Sequence, residues 1–265
     1  LRQLNLPLFF TCYTQNMFQV PPPTRFDLRF SIAGIPVRVH PLFWLIAILF
    51  GANSNIYGML IWVVVIFVSI LVHELGHAFA FRRFGQSSSI ILHITGGLTV
   101  PETLPWGGGY ASVSLTPNQH IFISLAGPLS GFGLAILAYA IGLAAGGEII
   151  MTSLFGFIPF PLVLLPYGTG LLNQFLVDFL WVNIFWGLVN LMPVYPLDGG
   201  NISRYTLIQQ DPLGGLRTSL WISVGTGVVL AVVGFLVLNS IYMAFLFGLL
   251  AFQSFQMIQG IAGRY

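Results

Sequence analysis

The stretch VSILVHELGHAFAFRRFG, residues Val68 to Gly85, decides how this chain is read. It is a long apolar run that carries two histidines and a glutamate and ends in two arginines. Ionisable groups are costly inside an apolar helix, and where they occur they pair with one another or line a functional cavity. Residues four apart stack on one helix face, so the imidazoles of His73 and His77 lie one turn apart, where they can share a metal ion. Glu74 follows the first histidine and projects beside that site. The spacing is HExxH, in which the glutamate is not a ligand and acts as general base toward a metal-activated water. Cys12 is the one cysteine of the chain, so a thiolate site is excluded and the metal must be held by nitrogen and oxygen.

Helix rise sets the depth of this site. His77 lies five residues before Arg82, roughly 7 to 8 Å from the arginine pair, and His73 is about 6 Å deeper. A metal there sits below the lipid surface, near the arginine-bearing side, and a third ligand must reach it from another element. Asp198, within NLMPVYPLDGG, meets that demand: Pro193 and Pro196 break the preceding helix, and Gly199 and Gly200 allow a tight turn. The alternative for Asp198 is an Asx turn or the cap of a following helix. Asp178 is placed near the outer end of the preceding span, roughly 20 Å above the arginine-bearing boundary, where it pairs with a polar group or reaches outward. His93 and Glu102 suit turn and cavity-wall roles, and His40 and His120 sit at span ends.

Composition agrees with a membrane setting. Of 265 residues, 56% are hydrophobic and only 6% charged, so most of the surface cannot face water. A net charge of +2 without a basic run interleaved with aromatics excludes a nucleic-acid partner. Six spans are expected, near Ile35–Ala52, Ile56–Phe81, Pro117–Ala145, Leu171–Met192, Leu220–Leu238 and Ile241–Ile261. All nine basic residues are arginines, and this count of spans puts every one on the same side; the positive-inside rule makes that side, and both termini, cytoplasmic.

Two segments break the helical pattern. Gln86 to Thr116 is glycine-rich and holds the strand-like pieces SIILHI, GLTV and YASVSL, whereas Glu148 to Gly170, with three prolines, reads as an outer-face loop or interfacial segment. The fold class is therefore an all-α membrane protein of six transmembrane helices with a short membrane-associated β segment between helices two and three. Residues 1–34 form an N-terminal juxtamembrane segment and residues 35–265 the helical core.

The residues quoted above resemble the site-2 protease family of intramembrane zinc metalloproteases. The resemblance rests on HELGHAFAFRRFG from His73 to Gly85, the glycine pair Gly96 and Gly97, SLAGPLSGF from Ser124 to Phe132, and NLMPVYPLDGG from Asn190 to Gly200. It implies a six-span enzyme of the bacterial cytoplasmic membrane that cleaves membrane-embedded proteins such as a membrane-anchored regulator. It implies zinc on His73, His77 and Asp198, Glu74 as catalytic acid and base, and Asn190, Gly96 and Gly97 next to the substrate. Neither a PDZ insertion nor a C-terminal CBS domain is present in the sequence, so the chain looks like a minimal core of the family. A transmembrane substrate must unwind before it is cut, and a strand between Ile90 and Leu115 is expected to pair with it. The competing function is a metal-ion transporter, which needs polar stations through both halves of the bilayer; the outer half offers little beyond Asp178.

Overall fold

The computed structural model describes residues 21–51, 55–102, 114–154, 158–212 and 214–262. Strands β1 (Leu28–Ile32) and β2 (Ile35–Val39) form a hairpin closed by Ala33 and Gly34, both at positive φ, the left-handed pair that a two-residue hairpin turn requires. Helix α1 (Pro41–Gly51) follows, then α2 (Ile56–Arg83), which carries the two histidines. Asn55 caps α2 by accepting from the Gly58 amide, and Arg82 and Arg83 occupy the last turn, where the helix dipole favours cations.

Strands β3 (Ser88–His93) and β4 (Gly96–Pro101) come next. The sheet order is β1-β2-β3-β4, antiparallel except for the β2–β3 pair. Helix α3 (Pro117–Ala144) opens on a reciprocal capping box between Thr116 and Gln119. Strands β5 (Glu148–Leu154) and β6 (Ile158–Leu164) form a second hairpin. Helices α4 (Gly170–Asn190), α5 (Asp198–Gln210), α6 (Gly214–Leu236) and α7 (Ile241–Ala262) complete the chain.

Among the described residues five helices, α2, α3, α4, α6 and α7, are long and apolar enough to cross a membrane, against the six expected. The difference lies in the first span. Ile35, Val37 and Val39 are buried while Pro36 is exposed, the alternation of a half-buried strand. That leaves α1 with 11 described residues, about 16 Å of helix and too short for a hydrocarbon core of about 30 Å. Phe43, at the start of α1, meets Phe67 of α2, and Gly51, at its end, lies against Met59 and Trp62. Helix α1 therefore runs antiparallel to the first part of α2, and the sheet lies beside the second part. One core joins them: Val37, Val39, Ile90 and Leu92 of the sheet pack with Phe43, Ile70, Leu71 and Ala78.

The β segment realises the first two expected pieces as β3 and β4 and gains β1 and β2 from before the first helix. The third expected piece, at Tyr110 to Leu115, falls mostly outside the described residues, as do the first 20 residues and the Ala52 end of the first expected span. The apolar stretch from Glu148 is a hairpin rather than a loop. Pro159 and Pro161 stand two apart in β6, so both can turn the side without an N–H away from β5.

Tight crossings follow the small residues. Gly76 of α2 meets Ala126 and Ser130 of α3, Ser130 donates to the Val72 carbonyl at 3.0 Å, and Gly131 approaches Asn183 of α4. Gly133, further along α3, has nothing within 4 Å of the position a Cβ would take. Between α2 and α4, the Asn183 amide donates to the Ser69 hydroxyl at 2.9 Å.

Candidate metal centre

Three electron-pair donors converge from two elements. His73 and His77 are buried one turn apart on α2, with ring centroids 4.9 Å apart and planes at 79°. His77 Nδ1 lies 2.7 Å from the Ile123 carbonyl of α3, a contact in which the ring must donate; its proton is thereby placed on Nδ1, and Nε2 is left with a lone pair. That Nε2 stands 3.2 Å from His73 Nε2. Asp198 supplies the third donor, with Oδ2 at 3.1 Å from His73 Nε2 and Oδ1 at 3.3 Å from His77 Nε2.

Asp198 reaches this place because the chain turns sharply before it. After α4 ends, residues 191–197 form a loop, and Asp198 opens α5 as its first helical residue. The cap position belongs to Leu197, with no side-chain capping bond, so the capping alternative for Asp198 is not what is found. Gly199 packs on the carbonyls of Leu191 and Met192, and Gly200 packs on Val194 and Tyr195; a Cβ at either would push α5 off its own loop. The Tyr195 amide donates to Ser223 of α6 at 2.8 Å, and the Ser223 and Ser254 hydroxyls are 2.7 Å apart, which ties the loop to α6 and α7.

The donor set fits a divalent ion. A tetrahedral ion with bonds of about 2.0 to 2.1 Å holds its ligand atoms about 3.3 Å from one another, close to the 3.2 Å between the two histidine nitrogens and to the 3.1 and 3.3 Å at which the two carboxylate oxygens each approach one of them. All three ligand atoms lie within 4.8 Å of one another, and this is the one such group of three or more among the described residues. Gly127 of α3 lies directly against the Nε2 atoms of both histidines, so a side chain there would occupy the space that an ion and its water need.

Glu74 is 6% exposed and faces the sheet side of α2. Its Oε2 accepts from the Thr99 hydroxyl of β4 at 2.7 Å, and its side chain rests on Gly97 so closely that a Cβ at residue 97 would collide with it. Thr99 also lies 3.1 Å from the Glu74 carbonyl. Gly97 and Thr99 are two apart in β4 and so share a face, a pairing visible in GGLTV only once the neighbour of the strand is known. Thr99 and Ile123 are the partners that sequence reasoning missed.

The remaining candidates have other partners. Asn190, 9% exposed, donates from Nδ2 to the Trp186 carbonyl of its own helix at 3.0 Å. Gly96, at φ 119°, opens β4 just after the β3–β4 turn, with Trp186 3.6 Å from its Cβ position. His93 bonds Thr95 in that same turn, Asp178 hydrogen-bonds Gln174, and His120 stacks on Tyr205 with centroids 4.1 Å apart. Arg204 is buried in α5, the short helix between α4 and α6, with its guanidinium 5.4 Å from the Tyr195 ring centroid.

Comparisons with known proteins agree with the motif. A zinc metalloprotease of Methanocaldococcus jannaschii is 29% identical over 67% of this chain and 44% of its own length. Rip3 of Mycobacterium tuberculosis, also named as a zinc metalloprotease, is 29% identical over 65% of this chain and 41% of that protein. The chain thus spans less than half the length of these curated relatives. A solved site-2 protease from M. jannaschii aligns over 90% of this chain and 94% of that one, at 24% identity and a TM-score of 0.49. The model of peptidase family M50 matches residues 61–232, a range that takes in most of α2, strands β3 and β4, the three donors and Gly127, and the chain belongs to that family.

Proposed function

We propose that the protein is an intramembrane zinc metalloprotease that hydrolyses a peptide bond within or next to a transmembrane segment of another membrane protein. The observation that carries this reading is the convergence of the His73 and His77 Nε2 atoms and the Asp198 carboxylate inside a helix bundle, with Glu74 adjacent. His73, His77 and Asp198 hold the ion. Zinc bound there supplies a Lewis acid for the scissile carbonyl and brings the pKa of a water toward neutrality. Glu74 accepts the proton of the attacking water on Oε1, the oxygen that Thr99 leaves free, and passes it to the leaving nitrogen. The Ile123 carbonyl keeps the His77 ring in the tautomer that ligation needs.

The substrate enters along β4. Among the described residues β4 pairs only with β3, so its other edge offers backbone groups to an unwound segment whose own groups have lost their helical partners. Gly96 and Gly97 keep that strand flat against Glu74 and Trp186, and Asn190 retains an amide oxygen for a substrate N–H. On this reading Arg82 and Arg83, in the last turn of α2, mark the near end of the site as the cytoplasmic side of a bacterial membrane, with a membrane-anchored regulator as the substrate class.

The deciding experiment uses Glu74→Gln with a model transmembrane substrate in detergent micelles. Cleavage falls to background while the zinc content stays at one ion per chain. Retained cleavage would remove Glu74 from the chemistry. Absent proteolysis by the parent protein, with metal uptake into proteoliposomes, would replace the protease with a transporter.

A further inference from the structure

A second polar cavity lies away from the metal donors, where the sheet meets the end of α2. Its volume is about 310 Å³, and it is walled by the β1–β2 turn at Gly34, by Pro36, by Ala78 and Arg82 of α2, and by the link from Gly85 to Ser88. The cavity has a cause in the sequence. The parallel β2–β3 ladder begins at Val37 and Ile90, and Pro36 has no N–H with which to extend it, so the two strands part just before that point.

The lining is chemically specific. Ser88 is 5% exposed, yet its Oγ has no hydrogen-bond partner among the described residues, and the buried Oε1 of Gln86 has none either. Buried polar atoms are rarely left so. Glu102 lines the same cavity, and its carboxylate makes no ion pair with a described residue. Arg82 brings a guanidinium that uses one donor on the Ala33 carbonyl, at 2.7 Å, and keeps the rest of its five. A ligand that satisfies this set carries an anion for Arg82 and a group with several N–H donors for the three acceptors Glu102, Gln86 and Ser88. A primary ammonium has three such donors.

Position selects the source. The cavity opens at the last turn of a membrane-crossing helix, and the Arg82 guanidinium lies 4.8 Å from the ring centroid of Phe79, which is 40% exposed on the apolar surface of α2. A headgroup in the cavity would have its acyl chains beside that ring. We propose that this cavity binds the headgroup of an aminophospholipid, with its phosphate on Arg82 and its ammonium shared by Glu102, Gln86 and Ser88. The claim concerns lipid binding and stands apart from the proteolytic reading.

The test is native mass spectrometry of the full chain released from phosphatidylcholine nanodiscs doped with phosphatidylethanolamine, for the parent, Glu102→Gln and Ser88→Ala. The parent retains phosphatidylethanolamine about tenfold above its share of the bilayer, because the quaternary ammonium of phosphatidylcholine has no N–H to give, and each variant loses most of that excess. Thermal unfolding in pure phosphatidylcholine, equal for all three proteins, shows that the substitutions leave the fold intact. Equal retention of the two lipids by parent and variants would mean a cavity filled with water alone and would overturn the proposal. Retention of phosphatidylglycerol as strong as that of phosphatidylethanolamine, unchanged by Glu102→Gln, would reduce the site to an anion contact and overturn it as well. Binding of soluble phosphoethanolamine with no preference for the acylated form would move the ligand into water and refute the lipid source.

Discussion

Thr99→Val isolates the contact that sets Glu74. The replacement keeps the β-branched shape and strand preference of residue 99 and removes only the hydroxyl that donates to Glu74 Oε2 at 2.7 Å. A hydrogen bond to a charged group contributes about 1.5 to 3 kcal/mol, and a value of about 2 kcal/mol corresponds to a loss of about 30-fold in kcat/KM. The loss should stay below the full contribution of general acid–base catalysis, about 10²- to 10⁴-fold, because Glu74 itself remains. Single-turnover cleavage of a model transmembrane substrate in micelles measures it, with bound zinc quantified on the same sample. Zinc content should equal that of the parent, since Thr99 touches none of His73, His77 or Asp198 among the recorded contacts, and Thr99→Ser should recover most of the rate. Parent-level cleavage by Thr99→Val would refute the positioning role. Loss of zinc along with activity would show that β4 supports the whole site rather than one carboxylate.

Gly127→Ala puts a methyl group against both histidine Nε2 atoms, so zinc affinity should fall by about tenfold or more while the protein still folds; metal analysis and circular dichroism distinguish the two. Ser223→Ala takes the acceptor from the Tyr195 amide in a buried setting and should cost about 1 to 2 kcal/mol of stability, read as a lower thermal midpoint, with a smaller loss for Ser254→Ala. Outside the helices, burial alone would raise the Asp27 carboxyl, but hydrogen bonds from Thr24 and from Arg38, with the charge of Arg38, bring it from 3.8 to about 2. A carboxyl held low when folded stabilises the fold above its unfolded pKa, and that contribution disappears as pH falls through about 2. The thermal midpoints of the parent and Asp27→Asn should therefore differ near neutrality and converge in acid; a constant gap would exclude the linkage.

The candidate metal centre was legible because its donors obey local rules. HExxH needs only the helical period, and Asp198 is marked by the prolines and glycines that turn the chain back at the required depth. The glutamate–threonine contact was not legible. Thr99 is 25 residues from Glu74 and Ile123 is 46 from His77, and no local period specifies which strand or helix packs beside α2. The first span shows a different failure. Averaged over a window the length of a membrane span, Ile35 to Ala52 is apolar enough to pass as one helix, and the average hides the period-two burial of Ile35, Val37 and Val39. The prolines of β6 misled in the opposite direction: they argue against a helix, and a two-stranded hairpin tolerates them where a central strand would not.

The parallel pairing of Val37 to Val39 with Ile90 to Leu92 makes the front of the chain a buttress for its chemistry. Hydropathy averaging passes over β1 and takes β2 for the start of a helix, yet β2 is the neighbour that keeps β3 in place, β3 holds β4, and β4 holds the proposed general base. Trimming the chain to its hydrophobic helices would leave every proposed zinc ligand present and still unsettle the carboxylate beside them. Any shortened form made for crystallisation or screening should therefore begin upstream of Leu28.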